Sequence, residues 1–237
     1  MEYKTTIITL PMPLRMGLVN SYLIETISSC LLIDTGGPFT RKELLVKLEG
    51  IGKVSHKLEL ILLTHGDFDH IGNASYLRSE FGPKIAMHRD DSGMAEHGDM
   101  FENRKKPNII IKVLLPLFSG FKKKDRFTPD IDITDGYDLS DFGFDAKVIS
   151  LPGHSKGSIG IITTKGELFC GDLFENTKGP TLNPLMDDYA AASVCIERLK
   201  NLNIKSVFPG HGQPFEMNIL MNSISGATWG NRLASHQ

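Results

Sequence analysis

The segment "HGDFDH", residues 65–70, places four side chains that can bind a metal ion within six positions. It directly follows the apolar run "LELILLT". His154 in "LPGHSKGS", Asp172 in "FCGDLF" and His211 in "FPGHG" also follow apolar runs and lie close to glycine. Hydrolytic metal sites use imidazole and carboxylate ligands in preference to thiolate. The pattern therefore predicts a metal centre built from loops at the ends of several strands.

Any one of these residues alone is typical of an ordinary polar loop. Four of the chain's eight histidines fall in these motifs, however, and all four follow strand-like runs. Tight loops that contain glycine let neighbouring side chains turn into a shared cleft. We interpret the joint occurrence, rather than any single motif, as the signal for a functional site.

The first half of the chain supplies strands and helices that can position the opening motif. The runs "TTIITL", "NSYLIE", "SCLLIDTGG" and "LELILLTH" have β composition and end at turn residues or polar breaks. "TRKE" has the form of a capping box and predicts a helix from Thr40 with Glu43 reaching back. "NASYLRSEFG" shows helical spacing and ends in glycine, which predicts a helix behind the site. "KIAMH" then predicts another strand.

The β pattern returns from Gly143 in "FDAKVISLPGH", "SIGIITTKGELFCGD" and "IKSVFPGHG", with the helical run "DDYAAASVCIERLKNL" before the last of these. The chain thus has two similar halves. The segment between them, about residues 92–131, does not follow the strand rhythm. We therefore expect one domain, residues 1–237, with an inserted helical segment at about 92–131.

Composition excludes several classes of protein. The net charge is −2 and no basic face is concentrated, which argues against a nucleic-acid partner. Three widely spaced cysteines in apolar surroundings indicate buried thiols in a reducing compartment. No apolar run has the length of a membrane span or a secretory signal. We expect a soluble, cytoplasmic protein that acts on a small molecule without a membrane partner.

The order of these residues resembles the metallo-β-lactamase superfamily. Its signature is His-x-His-x-Asp-His, followed by a histidine, an aspartate and a final histidine on later loops, with an early aspartate in "D-T-G". "HGDFDH", His154, Asp172 and His211 match in order, and Asp34 in "LLIDTGG" matches the early aspartate. The resemblance runs from about Asn20 to His211. It implies an α/β fold, a four-layer αββα sandwich, with two metal ions in a cleft along one edge of the paired sheets.

The resemblance also implies a role for each matching residue. The first metal would be held by His65, Asp67 and His154, the second by Asp69, His70 and His211, and Asp172 would bridge the two. Asp34 would lie behind the ligands and orient them. Water shared by two divalent cations loses a proton near neutral pH and becomes a nucleophile, which Asp69 would orient. The implied function is a metal-dependent hydrolase that cleaves a thioester, lactone or phosphoester, with zinc as the first choice of metal.

Asp67 departs from the family, which usually has histidine at this position. Two divalent cations contribute +4, while Asp67, Asp69, Asp172 and one hydroxide contribute −4, so the formal charge would be zero instead of +1. If Asp67 coordinates, the oxygen-rich site should favour iron or manganese. If its short side chain does not reach, the first metal is weakly held or absent. A non-heme di-iron redox or oxygen-handling protein is the alternative function, and a catalytically idle metal-binding module is a third.

Two features bear on the substrate. Only 26 residues follow His211, so we expect no glutathione-binding C-terminal extension of the glyoxalase II type. The superfamily's lactonases have a tyrosine shortly after the bridging aspartate, where "DLFEN" offers Phe174. The apolar run from Ile109 to Phe118 could form a substrate lid, and it could equally pack on the domain or form a homodimer contact. Phe174 and Phe118 are the candidate pocket residues.

Overall fold

The computed structural model describes residues 2–13, 17–52, 57–104 and 119–225, with residues 223–225 described through their backbone only. Each half of the chain forms one β-sheet of six strands. Central runs such as "CLLI" and "ELFCGDLFEN" are buried along most of their length, as strands covered on both faces are, whereas the edge run "KTTIITLP" has two buried residues of eight. Within the described ranges, no helix is both long enough and apolar enough to cross a bilayer.

The first sheet lies in chain order, β1 to β6. Its first two pairings are antiparallel and the other three are parallel. The strands are β1 (Lys4–Pro11), β2 (Leu18–Glu25), β3 (Cys30–Ile33), β4 (Leu58–Leu62), β5 (Lys84–Met87) and β6 (Ile131–Asp132). Its helices are α1 (Arg41–Gly50), α2 (Phe68–Ile71), α3 (Ala74–Phe81) and α4 (Arg89–His97). Because β3 and β4 are parallel, the residues that follow them meet at one edge of the sheet.

The second sheet has the order β12-β11-β9-β8-β7, with β10 paired to β9. All of its pairings are antiparallel except that between β9 and β11. The strands are β7 (Ala146–Ser150), β8 (Ile159–Thr163), β9 (Glu167–Asn176), β10 (Thr181–Leu182), β11 (Ser206–Gly212) and β12 (Phe215–Glu216). Its helices are α5 (Tyr189–Lys200) and α6 (Met217–Ser225).

Three hydrophobic cores separate four layers. One core lies between the first sheet and its helices, one between the two sheets, and one between the second sheet and α5 and α6. In β3, Cys30 and Leu32 face the helices while Leu31 and Ile33 face the other sheet, as the twofold period of a strand requires. The fold is therefore the αββα sandwich that the sequence predicts.

The capping box predicted at Thr40 is wrong. Thr40 does precede α1, but its hydroxyl donates to Gly37 O at 2.8 Å and makes no cap hydrogen bond to the helix. Residues 38–40 form a short 3₁₀ turn, and the Thr40 hydroxyl hydrogen-bonds back across this turn. Glu43 pairs instead with Lys47, one turn along the helix, at 2.8 Å.

The segment predicted to be a helical insertion is described in part. Helix α4 covers Arg89–His97, and residues 98–104 and 119–130 hold turns and one short 3₁₀ helix. Residues 105–118, which include the apolar run and Phe118, lie outside the described residues.

Candidate metal centre

All the candidate ligands come together at one edge of the paired sheets. Two residues separate the end of β4 from His65, and α2 carries Asp69 and His70. His154 lies in the connection from β7 to β8, while Asp172 and His211 lie within the neighbouring parallel strands β9 and β11. The sheets meet closely here, because Tyr22 of β2 donates to Pro209 O of β11 at 2.6 Å.

The ligand atoms form two groups. His65, His154 and Asp172 make up one, and Asp69, His70 and His211 the other, with the ligand atoms of each group within 4.8 Å of one another. Asp172 faces both groups: Oδ1 lies 3.4 Å from His70 Nε2, and Oδ2 lies 3.3 Å from His211 Nε2 and 4.0 Å from His154 Nε2. This carboxylate is therefore placed to join the two groups.

Backbone carbonyls fix the orientation of two of the histidines. His154 Nδ1 donates to Leu185 O at 2.5 Å, and His211 Nδ1 donates to Leu18 O at 2.8 Å. A carbonyl oxygen can only accept, so in each ring the proton is on Nδ1. The Nε2 atom of each ring then points toward the other ligands, as in a metal-binding histidine.

Asp34 fixes the other two histidines. Its Oδ2 accepts from His70 Nδ1 at 2.9 Å and from the Thr64 hydroxyl at 2.7 Å, and its Oδ1 accepts from Thr64 N at 2.8 Å. Thr64 Oγ1 in turn accepts from His65 Nδ1 at 2.9 Å. Asp34 has a φ of 58°, in the left-handed region, and this unusual backbone turns its carboxylate into the centre.

These atoms fit a metal ion. Within the part of the chain that the structure describes, neither His65 Nε2 nor Asp172 Oδ1 makes a hydrogen bond, although both are buried. His70 Nε2 and His211 Nε2 lie only 3.4 Å apart, and each is close to the Asp172 carboxylate. Buried acceptors without a donor are costly, and a cation between them removes that cost.

The charges around the histidines also favour a cation. Burial alone would lower the pKa of His211, but Asp172 outweighs it and raises this pKa to about 9. Burial would likewise lower the pKa of His70, yet Asp172, Asp69 and Asp34 raise it well above its usual value. The carboxylates therefore make a negative environment in which positive charge is stabilised.

Asp67 reaches the centre. Its Oδ2 lies 3.0 Å from His154 Nε2 and 3.8 Å from His65 Nε2. The alternative in which its side chain is too short to approach therefore has no support in this geometry. We call His65, Asp67 and His154 the first ligand group and Asp69, His70 and His211 the second, with Asp172 between them.

Two charged residues that sequence reasoning missed support the first ligand group. Arg104 forms an ion pair with Asp67 Oδ1. The carboxylate of Asp91 is fully buried and accepts from Gly66 N at 3.0 Å, Ser155 Oγ at 2.6 Å and Gly157 N at 2.8 Å. Because Gly66 follows His65 and Ser155 follows His154, Asp91 ties the two ligand loops together.

Asn183, which sequence reasoning also missed, supports the joining carboxylate. Its Nδ2 donates to Asp172 Oδ2 at 3.1 Å, and its Oδ1 accepts from Leu185 N at 2.8 Å. Leu185 O is the acceptor for His154. The link between Asn183 and Asp172 could have been sought in "DLFENTKGPTLN", but nothing in that segment marks the asparagine as special.

The structure places Phe174 in the hydrophobic core beneath α5 and α6, with none of its side chain exposed. It lies on β9, which continues through Asn176, and pairs with Leu182 of β10. In this position Phe174 packs the sheet and does not line an open cleft.

The fold and the ligand set define a metallo-hydrolase architecture, and a comparison with known families agrees. The family model of the metallo-beta-lactamase superfamily matches residues 14–211. The chain belongs to this superfamily.

Two curated relatives illustrate the range of the family. The hydroxyacylglutathione hydrolase GloC of Haemophilus influenzae is 30% identical over 184 residues, which are 76% of this chain and 79% of that protein. The beta-lactamase-like protein 2 homolog of Caenorhabditis elegans is 23% identical over 204 residues, 85% of this chain. The chain spans only 58% of the length of the C. elegans protein.

Solved structures agree with the fold. The metallo-beta-lactamase family protein TTHA1429 from Thermus thermophilus superposes with a TM-score of 0.71 over 98% of this chain and 81% of its own, at 21% identity. The protein TTHA1623, solved in a di-iron-bound form, gives a TM-score of 0.67 over 90% of this chain and 96% of its own, at 27% identity.

Proposed function

We propose that this chain is a hydrolase with two metal ions that cleaves an ester-like bond in a small molecule. The observation that carries the proposal is the pair of ligand groups that share Asp172, in which the buried His65 Nε2 and Asp172 Oδ1 make no hydrogen bond among the described residues. Such an arrangement is hard to explain as a purely structural polar cluster, because buried acceptors need donors.

The first ligand group, His65, Asp67 and His154, would hold one metal ion, and the second, Asp69, His70 and His211, the other. Asp172 would contact both. When bound, divalent metals lower the pKa of water and polarise a carbonyl or phosphoryl oxygen. Zinc is the first choice for an imidazole-rich set, and iron is the second, since the similar protein TTHA1623 was solved with two irons.

Asp69 is the group best placed to handle the proton. Its side chain is 25% exposed, against 7% for Asp172, and its Oδ2 lies 3.5 Å from His211 Nε2. Burial raises its pKa above the usual value for an aspartate. It can therefore orient an attacking water, accept its proton and pass that proton to the leaving group.

A thioester is the first substrate class to test. Support comes from the relative named as a hydroxyacylglutathione hydrolase, which aligns over 79% of its length. The leaving thiol needs little protonation, so a single partly exposed carboxylate is enough to complete the proton transfer. Lactones and phosphoesters are the next two classes in the panel.

The test begins with the protein purified without added metal. Elemental analysis should find about two zinc, iron or manganese ions per chain, and the loaded protein should hydrolyse an acylated thiol faster than a lactone or a phosphodiester. Asp172→Ala should lose both ions and the activity, while Asp135→Ala, a surface carboxylate, should keep both. Unchanged metal content in Asp172→Ala would refute the bridging role, and oxygen consumption by an iron-loaded protein without esterase activity would favour the redox alternative.

A further inference from the structure

A guanidinium lies against the first ligand group. The side chain of Arg104 is only 7% exposed and pairs with Asp67 Oδ1 through Nη1. Its Nε donates to Asp187 Oδ2 at 2.6 Å, and its Nη2 donates to His154 O at 2.6 Å. Arg104 thus contacts two of the three residues in this group and is held by a second carboxylate.

The ion pair with Arg104 gives the two carboxylate oxygens of Asp67 different partners. Oδ1 is occupied by Arg104, and Oδ2 faces the Nε2 atoms of His154 and His65. A free carboxylate could rotate and offer both oxygens to an ion. With the planar guanidinium fixed at three acceptors, only one oxygen of Asp67 is left for the centre.

The same pairing changes the charge of the centre. The charge counted from the sequence left Arg104 out. Asp67 and Arg104 together carry no net charge, as a neutral histidine in place of Asp67 would, and Asp187, the second carboxylate on Arg104, is 31% exposed, so solvent screens its charge. Asp67 and Arg104 together are therefore electrostatically equivalent to the histidine that the family usually has.

We propose that Arg104 is a positioning residue and that Asp67 and Arg104 act as a matched pair in place of the family's histidine. Arg104 holds Asp67 so that a single oxygen is presented to the first metal ion, and it offsets the extra negative charge. The inference rests on the proposed metal centre, but not on which bond is cleaved.

A clear consequence concerns Asp67→His, which restores the residue usual in the family. On its own it removes the carboxylate that faces Arg104 and leaves a buried guanidinium beside both an imidazole and a divalent cation. A guanidinium and a divalent cation that lie against the same buried ligand group repel each other strongly. The restored histidine should therefore bind the metal only when Arg104 is also replaced.

The test is a cycle of four proteins: wild type, Asp67→His, Arg104→Met and the double variant. Zinc affinity is measured by competition with a chromophoric chelator, metal content by elemental analysis, and ligand geometry by the visible spectrum of the cobalt-loaded protein. Arg198→Met is the control, because Arg198 also pairs with an aspartate, Asp135, through two bonds of 2.8 and 2.9 Å, but on the surface.

We expect the Asp67→His protein to hold one ion per chain, with the zinc affinity of the first site lowered at least about tenfold, a typical effect of disturbing residues behind a ligand. Arg104→Met should lower this affinity about threefold or more in the wild-type background. In the Asp67→His background, the same change should raise it about tenfold. Only the double variant should regain a second ion. If Asp67→His does not fold, Asp67→Asn replaces it in the same cycle, because it keeps the shape and removes the charge.

Two results would overturn the proposal. One is an Asp67→His protein that binds two ions as tightly as wild type. The other is that Arg104→Met changes the zinc affinity in the same direction and by the same factor in the wild-type and the Asp67→His backgrounds. If Arg104 did no more than repel the metal ion, its removal would raise the affinity in both. Wild-type protein that binds no metal at all would instead refute the proposed function, so the two failures can be told apart.

Discussion

The two ligand groups are supported by different parts of the chain. The second group rests on Asp34, which directly follows β3, and on Leu18 O at the start of β2. The first group rests on Asp91 and Arg104, which lie on α4 and in the turns that follow it. Asp34 thus holds the second group directly and reaches the first through Thr64, whereas Asp91 and Arg104, from the segment between the two halves of the chain, contact the first group and its loops.

The difference concerns the partners on which each ligand depends. A ligand held at a sheet edge depends on strands that are packed in the core. A ligand held from an irregular segment depends on single side chains, and under our proposal Asp67 and Arg104 would have to be exchanged together. The following predictions test this contrast, from the largest expected effect to the smallest.

Replacing Asp34 should have the largest effect, because its carboxylate accepts three hydrogen bonds in a buried site. Asp34→Asn tolerates the positive φ but presents a donor where an acceptor is needed. We expect a loss of about 3 kcal/mol in the free energy of unfolding and loss of the second metal ion. Chemical denaturation and elemental analysis measure the two effects, with Asp135→Asn as the surface control. Equal weakening of both metal sites would contradict the contrast, since Asp34 reaches His65 only through Thr64.

Asp91→Asn should act mainly on the first site. Burial raises the pKa of Asp91, and the hydrogen bonds from Ser155 and Gly157 N partly oppose that rise. An amide nitrogen would face one of those donors, at a cost of about 2 kcal/mol in stability. The first metal should be released at a lower chelator concentration than in wild type, and the second should be unaffected. The neighbouring substitution Asp90→Asn is the control, and loss of the second ion would argue that Asp91 supports the whole fold instead.

Asn183→Ala should have a smaller effect that does not distinguish the groups. It removes one hydrogen bond to Asp172, worth about 1 kcal/mol, and Asp172 is shared. The affinities of both metal sites should fall by similar factors, which stepwise chelator titration can measure. Asn201→Ala, at the surface end of α5, serves as the control. A change at one site alone would mean that Asp172 does not join the two.

The strands and the candidate ligands could be predicted from the sequence, because each is marked by a short local pattern. An apolar run marks each strand, and a histidine or aspartate close to glycine follows or ends it, so the ligands could be named without knowing their distances. The partners of those ligands could not be named. Arg104 lies 37 positions from Asp67 in the polar stretch "FENR", where an arginine is typical of an exposed surface.

The errors have a similar origin. Phe174 was expected in a pocket because it lies shortly after Asp172, where the superfamily's lactonases have a tyrosine, whereas β9 runs on to Asn176 and α5 and α6 cover the side chain. Thr40 was expected to cap α1, but the preceding turn uses its hydroxyl. In both cases the neighbouring element, which sequence spacing does not reveal, decides where the side chain goes.

Arg198→Met should have the smallest effect and none on metal binding, since its pair with Asp135 is about half exposed and far along α5 from the ligand loops. Arg198 holds the pKa of Asp135 below its usual value. A carboxylate whose pKa is lower in the folded state stabilises the fold above its unfolded pKa, and that contribution disappears as the pH falls. The variant should therefore be about 0.5 kcal/mol less stable at neutral pH and equal to wild type once the pH lies below the lowered pKa of Asp135. A stability difference that persists in acid would mean that the arginine acts through packing, and it would then be a poor control for Arg104.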